Sequence, residues 1–362
     1  MHDVVIERVP LSRRRAAMRF LIGGSSRDTF TRMQADSLYQ RTLGADAGLA
    51  ELWWARRGRT ELAAAMIYHN VGRTGTLLAS PAAAPDVDAQ QLARLVGELS
   101  RAEIRRGLSM IQTLLPAEAK PELAMLGQAG YHRLAELAYM QLAVPLACNT
   151  GILPMSRMGV PPMQTPPADQ AFTSQINTNE AIMPYAEHGR DAHAAHGQDA
   201  RATFHVAAEF PARELEQIIR RSYEDSRDCP GLAGVRDLGD VVAGHRASGL
   251  FSPESWWIVH VEGQSAGCLL LNESLTGQDG EIVYLGVAPE FRRQGIARTM
   301  LVQAISHAQR VSWRRLTLAA DSSNLPAVRL YESFQFAVSH RRDAWIFTRR
   351  DVAEGFPSKN RC

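Results

Sequence analysis

An α/β fold, a mixed sheet with helices on both faces laid down twice along the chain, is predicted by three observations. Helix-spaced apolar positions alternate with short strand-like runs through residues 202–350. A similar order of elements recurs over residues 1–147. Between them, residues 148–201 hold Pro154, Pro161, Pro162, Pro166, Pro167 and Pro184 among Met, Gln, Ser, Asn and Ala, with no sustained periodicity. That composition reads as a disordered linker, because it offers little apolar surface to bury. A chain of 362 residues with 45% hydrophobic content suffices for two packed cores. Residues 351–362 are left as a tail.

In the C-terminal half, 203–209 reads as a strand and Ala212–Tyr223 as a helix with Leu215, Ile218 and Ile219 on its inner face. A second helix over 238–248 leads into a strand over 255–261, where Trp256 and Trp257 suit a pleated surface. The runs 266–272 and 281–287 read as adjacent strands joined by the turn Gly277-Gln278-Asp279-Gly280. After a further helix come a strand over 315–319, a helix over Leu325–Ser333 and a last strand over 344–348.

The N-terminal half follows suit: a strand over 4–9, a helix over 11–21, and strands over 51–56, 62–70 and 76–80. A long helix over 88–106 carries Leu92, Leu95, Val96 and Leu99 at helical spacing. A strand over 109–115, a helix over 121–128 and a strand over 135–144 complete it.

The most informative segment spans 283–301, an apolar strand that turns through Pro289 into a helix opening with Arg292-Arg293-Gln294-Gly295-Ile296-Ala297. The first-turn amides of a helix lack intrahelical partners and sit at the positive end of the dipole, so a diphosphate can accept several hydrogen bonds there. Gly295 lets a phosphate reach the backbone, small Ala297 keeps the helix start open, and Arg292, Arg293 and Arg298 add charge. The corresponding turn in the N-terminal half reads Pro81-Ala-Ala-Ala-Pro-Asp86-Val-Asp88, whose carboxylates repel an anion; Asp88 suits a helix N-cap instead.

This cradle, followed by Asn324-Leu-Pro-Ala327-Val-Arg-Leu330-Tyr331-Glu-Ser-Phe334-Gln-Phe336, resembles the GNAT acetyltransferase superfamily over about the last 150 residues. The resemblance implies that Arg292, Arg293, Gln294, Gly295, Ile296 and Ala297 hold the pyrophosphate of acetyl-CoA. It also implies that the backbone around Leu285, Val287 and Ala288 pairs with the pantetheine arm, and that Asn324 and Tyr331 lie near the sulfur. One departure is visible: where the family has Gly-Phe after this helix, the chain has Gln335-Phe336. The pair Gly130-Tyr131 keeps the glycine in the N-terminal half, which reads as a degenerate copy in a tandem arrangement.

The reaction implied is acyl transfer from acetyl-CoA to an amine acceptor. An alkylamine is mostly ammonium at neutral pH, so a base or a water chain must take its proton. Glu281 is the first candidate, being on the face of Leu285 and Val287 if alternation is regular; otherwise it is a strand-edge carboxylate in solvent. A backbone amide near Val287 or Ala288 is expected to stabilise the oxyanion. Tyr331 matches the family position of the acid that protonates the leaving thiolate, although a helical Tyr also suits packing. Cys229, in a loop where the family forms its acceptor lip, has no identifiable activating base and reads as a loop or buried thiol. His245 is open to either an acceptor-side or a surface role.

Other classes are disfavoured. The net charge of +2 argues against a dominant nucleic-acid function, and four cysteines without paired spacing argue against a disulfide framework. No metal is expected, since His188, His193 and His196 fit no standard site. The chain shows no apolar leader or bilayer-length run, and a cytoplasmic location is expected. Two alternatives stay open: a noncatalytic acyl-CoA-binding or regulatory protein, and a tRNA-dependent aminoacyltransferase of tandem GNAT type.

Overall fold

The computed structural model describes residues 3–24, 28–43, 50–145 and 202–353. The expected linker, its three histidines, Cys148, Cys362 and most of the C-terminal tail lie outside these residues. The N-terminal half runs β1 (Val4–Arg8), α1 (Arg14–Gly23), α2 (Thr29–Leu43), β2 (Ala50–Arg57), β3 (Thr60–Asn70), β4 (Thr74–Ala79), α3 (Ala89–Arg106), β5 (Met110–Leu115), α4 (Lys120–Ala129) and β6 (His132–Ala143). The C-terminal half runs β7 (Ala202–Val206), α5 (Ala212–Tyr223), α6 (Leu238–Arg246), β8 (Leu250–Val261), β9 (Gln264–Glu273), β10 (Asp279–Val287), α7 (Ile296–Arg310), β11 (Arg315–Asp321), α8 (Leu325–Ser333), β12 (Ala337–Thr348) and α9 (Arg349–Ala353). The segment forming α2 was not expected as a helix. It has no strong apolar stripe, and Phe30 and Met33 on it are exposed.

The halves do not keep separate sheets. Among the described residues all strands join one twelve-stranded sheet in the order β1-β2-β3-β4-β5-β12-β6-β11-β10-β9-β8-β7. Read from either end, the order is the same with the halves interchanged, so a pseudo-twofold axis passes between β12 and β6. Each half sends its last strand across: β6 pairs antiparallel with β11, from Arg315↔Ala143 to Asp321↔Leu137, and β12 pairs with β5, from Asp343↔Leu115 to Thr348↔Met110. Two apolar cores result, one around Trp54, Leu92 and Phe347 and one around Trp256, Leu269 and Met300. The exchange mixes them, since Phe347 of β12 lies in the N-terminal core and Met140 of β6 in the C-terminal one.

Both halves contain a parallel pair that opens. β10 pairs with β11 only at Asp279–Glu281 against Arg315–Thr317, and β4 with β5 only at Thr74–Thr76 against Met110–Gln112. Beyond these contacts the strands diverge. In the C-terminal half the closed end is locked by Gly280, where an added Cβ would lie 2.0 Å from the Trp313 ring. The hairpin before β10 turns through Gly277, at φ 70°, with the Ser274 amide donating to Asp279 O at 2.8 Å, so Asp279 and Gly280 belong to the strand.

Candidate functional site

The divergence of β10 and β11 opens a cavity of about 1000 Å³. It is lined by β10 from Ile282 to Val287, the start of α7, the strand β11 around Leu318 and the helix α8. Of the candidate residues, Leu285, Val287, Arg292, Arg293, Gly295, Ile296, Ala297, Arg298, Asn324 and Tyr331 all line it. Glu281, Ala288 and Gln294 do not.

The cradle forms for a local reason. Pro289 sets a single tight turn, Arg293 then takes φ 64°, and Gly295 takes φ 81° as the N-cap of α7. A left-handed cap is easy for glycine, which has no Cβ to clash. Gly295 has no side chain to accept from the first-turn amides; the Gly295 carbonyl accepts the Thr299 amide at 3.0 Å. The amides of Ile296, Ala297 and Arg298 therefore begin the helix as donors without intrahelical partners. Arg298 lies over the Phe334 ring at 4.9 Å, which fixes its charge beside the cradle.

The N-terminal copy is closed by its own chemistry. There Asp88 caps α3, accepting from the amides of Gln90 and Gln91 at 3.1 Å each. The donors that stay open in α7 are spent in α3 on a carboxylate, as the sequence suggested.

Two expectations need correction, and a third narrows. The Arg292 guanidinium is not free to clasp a phosphate: it donates to the carbonyls of Val287 (3.1 Å), Ser222 (3.1 Å), Glu224 (2.6 Å) and Asp225 (3.3 Å), stapling the C-terminus of α5 to the end of β10. The oxyanion donor expected near Val287 or Ala288 narrows to Val287, since the Ala288 amide donates to Ala266 O at 2.9 Å. Alternation along the ladder then turns the amides of Val287 and Leu285 away from β9, toward the gap left by β11.

Glu281 is the second correction. The register of β10 against β9 shifts between Ile282 and Tyr284, so Val283 is an extra residue. Glu281 pairs with Asn272 and Tyr284 with Leu270, which puts Glu281 on the face of Tyr284, opposite Leu285 and Val287. That face is covered by α5 and α6: the Tyr284 hydroxyl meets Ser222 Oγ at 2.7 Å, and Ser248 Oγ donates to Glu281 Oε2 at 3.3 Å. Glu281 is half-buried, not a solvated edge group. Burial raises its carboxyl above the ordinary glutamate value, with the Ser248 hydroxyl opposing in part.

Tyr331 is buried at 9% exposure, packed edge-on to Phe336 at 5.9 Å. Burial, with the Asp228 carboxylate adding to it, holds its phenol above the ordinary value, so it stays protonated and able to donate. Asn324 stands at the N-cap of α8 without a side-chain capping bond, leaving its amide to the cavity. Gln294 instead donates to Glu290 O at 2.9 Å, bracing the turn.

Cys229 takes φ 45°, and its amide donates to Asp321 Oδ2 at 3.2 Å. Burial and the carboxylates of Asp228 and Asp321 push its thiol up to about 12, which makes a thiolate nucleophile unfavourable. His245 is held neutral, down to about 4, by burial and by Arg236. Among the described residues no cluster of His, Cys, Asp and Glu is arranged to hold a metal, and no helix is long and apolar enough to cross a membrane.

Residues 213–336 match the family model of the acetyltransferase (GNAT) family. A mycothiol acetyltransferase of Thermobispora bispora is 31% identical over 150 residues, spanning 41% of this chain and 44% of that protein. A mycothiol acetyltransferase of Nocardiopsis dassonvillei is 28% identical over 211 residues, spanning 58% and 56%. The chain thus spans about half the length of these relatives. Among solved structures, a GCN5-related N-acetyltransferase from Sphaerobacter thermophilus superposes with a TM-score of 0.51 at 15% identity, covering 95% of both chains. At that identity it supports the fold, and it does so across both halves.

Proposed function

We propose that this chain, whose residues 213–336 belong to the GNAT acetyltransferase family, is an acyl-CoA-dependent N-acyltransferase that moves acetyl from acetyl-CoA to an amine by direct attack. One observation carries the reading: the open first-turn amides of α7 and the protonated phenol of Tyr331 share a single cavity. A pyrophosphate is held by the amides of Ile296, Ala297 and Arg298, with Arg293 at its side. The amides of Leu285 and Val287 meet the pantetheine arm as an added strand would, and the Val287 amide is the donor to the carbonyl oxygen as it gains charge. Glu281 accepts the proton of the acceptor ammonium, through water where it is not in direct contact. Its raised carboxyl value brings it closer to neutrality, where a general base works best. Tyr331 returns a proton to the departing thiolate.

The relatives' printed name favours an acceptor related to mycothiol. Chromatographic measurement of the CoA thiol released from acetyl-CoA tests the reading, run with a panel of amines that includes mycothiol-related ones. Turnover with at least one amine, lost in Tyr331→Phe, is expected. Tight acetyl-CoA binding with no thiol release from any amine would favour a noncatalytic acyl-CoA-binding protein.

A further inference from the structure

The half-buried carboxylate of Glu281 does not stand alone on its face of β10. Its cross-strand neighbour Asn272 is 1% exposed and fully engaged: Oδ1 accepts from Trp256 Nε1 at 3.0 Å, while Nδ2 donates to His245 O at 2.6 Å and also to Ser248 O. Asn272 therefore fastens the end of α6 and the residues just past it to the sheet through two backbone carbonyls, that of His245 also accepting the Ser248 amide at 3.3 Å. Immediately beyond, Gly249 takes φ 81°, and an added Cβ there would lie 2.4 Å from Glu273 O. Ser248 is thus fixed from both sides, and its hydroxyl donates to Glu281 Oε2.

The other end of α6 is held from the opposite half of the chain. Arg73, in the turn between β3 and β4, donates from Nε to Asp240 Oδ2 at 2.7 Å and pairs with Asp237. Beside it Gly72, at φ 81°, lies so near α6 that an added Cβ would be 2.2 Å from Asp240 O. Exposed ion pairs contribute little alone, but this close backbone approach makes the turn a fitted stop for the helix.

We propose that Ser248 and Asn272 are positioning residues for the Glu281 carboxylate, and that the N-terminal half braces them by clamping α6 through Gly72 and Arg73. The inference rests on the reading of Glu281 as the base, and gives the half with the capped α3 a task in the reaction. Charged and titratable groups around Glu281 are Tyr139 of β6, with His340 and Arg342 of β12 beside that ring, His245 of α6, and Tyr284 of its own strand.

The test is a pH titration of Glu281 itself in the full chain, by carbon NMR of glutamate labelled at the side-chain carboxyl, with Glu281→Gln assigning the signal. Ser248→Ala removes a donor to the ionised form, so the midpoint is expected to rise by about half a unit or more, and Ser248→Thr to restore it. Gly72→Val is expected to displace the midpoint as well, although it lies in the other half. A Ser248→Ala midpoint that superimposes on the parent overturns the positioning role, and an unmoved midpoint in Gly72→Val overturns the brace. A midpoint that moves as expected in a chain acetylating none of the amines would refute the base assignment alone.

Discussion

Gln335 and Gly130 occupy corresponding helix ends in the two halves and take the same left-handed backbone, at φ 66° and φ 95°. The bonds match too: the amides of Gln335 and Phe336 donate to Glu332 O and Tyr331 O, those of Gly130 and Tyr131 to Gly127 O and Leu126 O. The missing glycine leaves the end of α8 unchanged and adds strain instead. Gln335→Gly is expected to stabilise the chain by about 1 kcal/mol, net of the added backbone freedom of glycine in the unfolded state. Urea denaturation with an unchanged slope checks this.

The staple made by Arg292 predicts a stability defect where a phosphate contact alone predicts none. Arg292→Ala strips the carbonyls of Val287, Ser222, Glu224 and Asp225 of a charged donor and is expected to cost about 1–3 kcal/mol. Thermal melting without ligand reads it; an unaltered melt would restore the guanidinium to the cradle.

For Tyr331→Phe, the phenol is removed and the packing against Phe336 kept. Turnover is expected to fall about 10²-fold, the usual worth of a general acid, with acetyl-CoA affinity nearly unchanged. Since the phenol is held above its ordinary value, activity is expected to show no basic fall from this group up to at least the ordinary tyrosine range.

His307 gives the fold an acid sensitivity. It is 4% exposed between the rings of Trp257 and Trp313; Arg310 donates to its Nδ1 at 2.8 Å, which leaves the Nε2 proton to donate to Ser255 Oγ at 3.1 Å. Burial, then Arg310, pull it down to about 4. A histidine neutral in the fold and ordinary when unfolded costs nothing above pH about 6.5, and stability falls as pH drops from there toward 4. His245, also down to about 4, adds to the same window. Denaturation midpoints across this range are expected to fall less steeply in His307→Gln than in the parent.

What the chain displays locally was legible, and what depends on distant partners was not. The left-handed helix start at Gly295 and the cap at Asp88 follow from a few adjacent residues, and both are present in the fold. The face of Glu281 is not readable from the sequence, because the bulge at Val283 leaves no trace in an apolar run. The staple made by Arg292 depends on where the end of α5 comes to rest, which no local pattern encodes. Exchange of β6 and β12 was equally hidden, since the alternation in a strand fixes its faces and not the neighbour it chooses.

On the proposed reading, one half of this pseudo-symmetric sheet holds a working cradle and the other a capped one. Calorimetric titration of the purified chain with acetyl-CoA tests it most directly, beside Gly295→Val, in which a branched side chain is forced onto a left-handed cap in the cradle. One site per chain, lost in the variant while its folded spectrum persists, is the predicted result. Two sites, or one that survives in Gly295→Val, would contradict it.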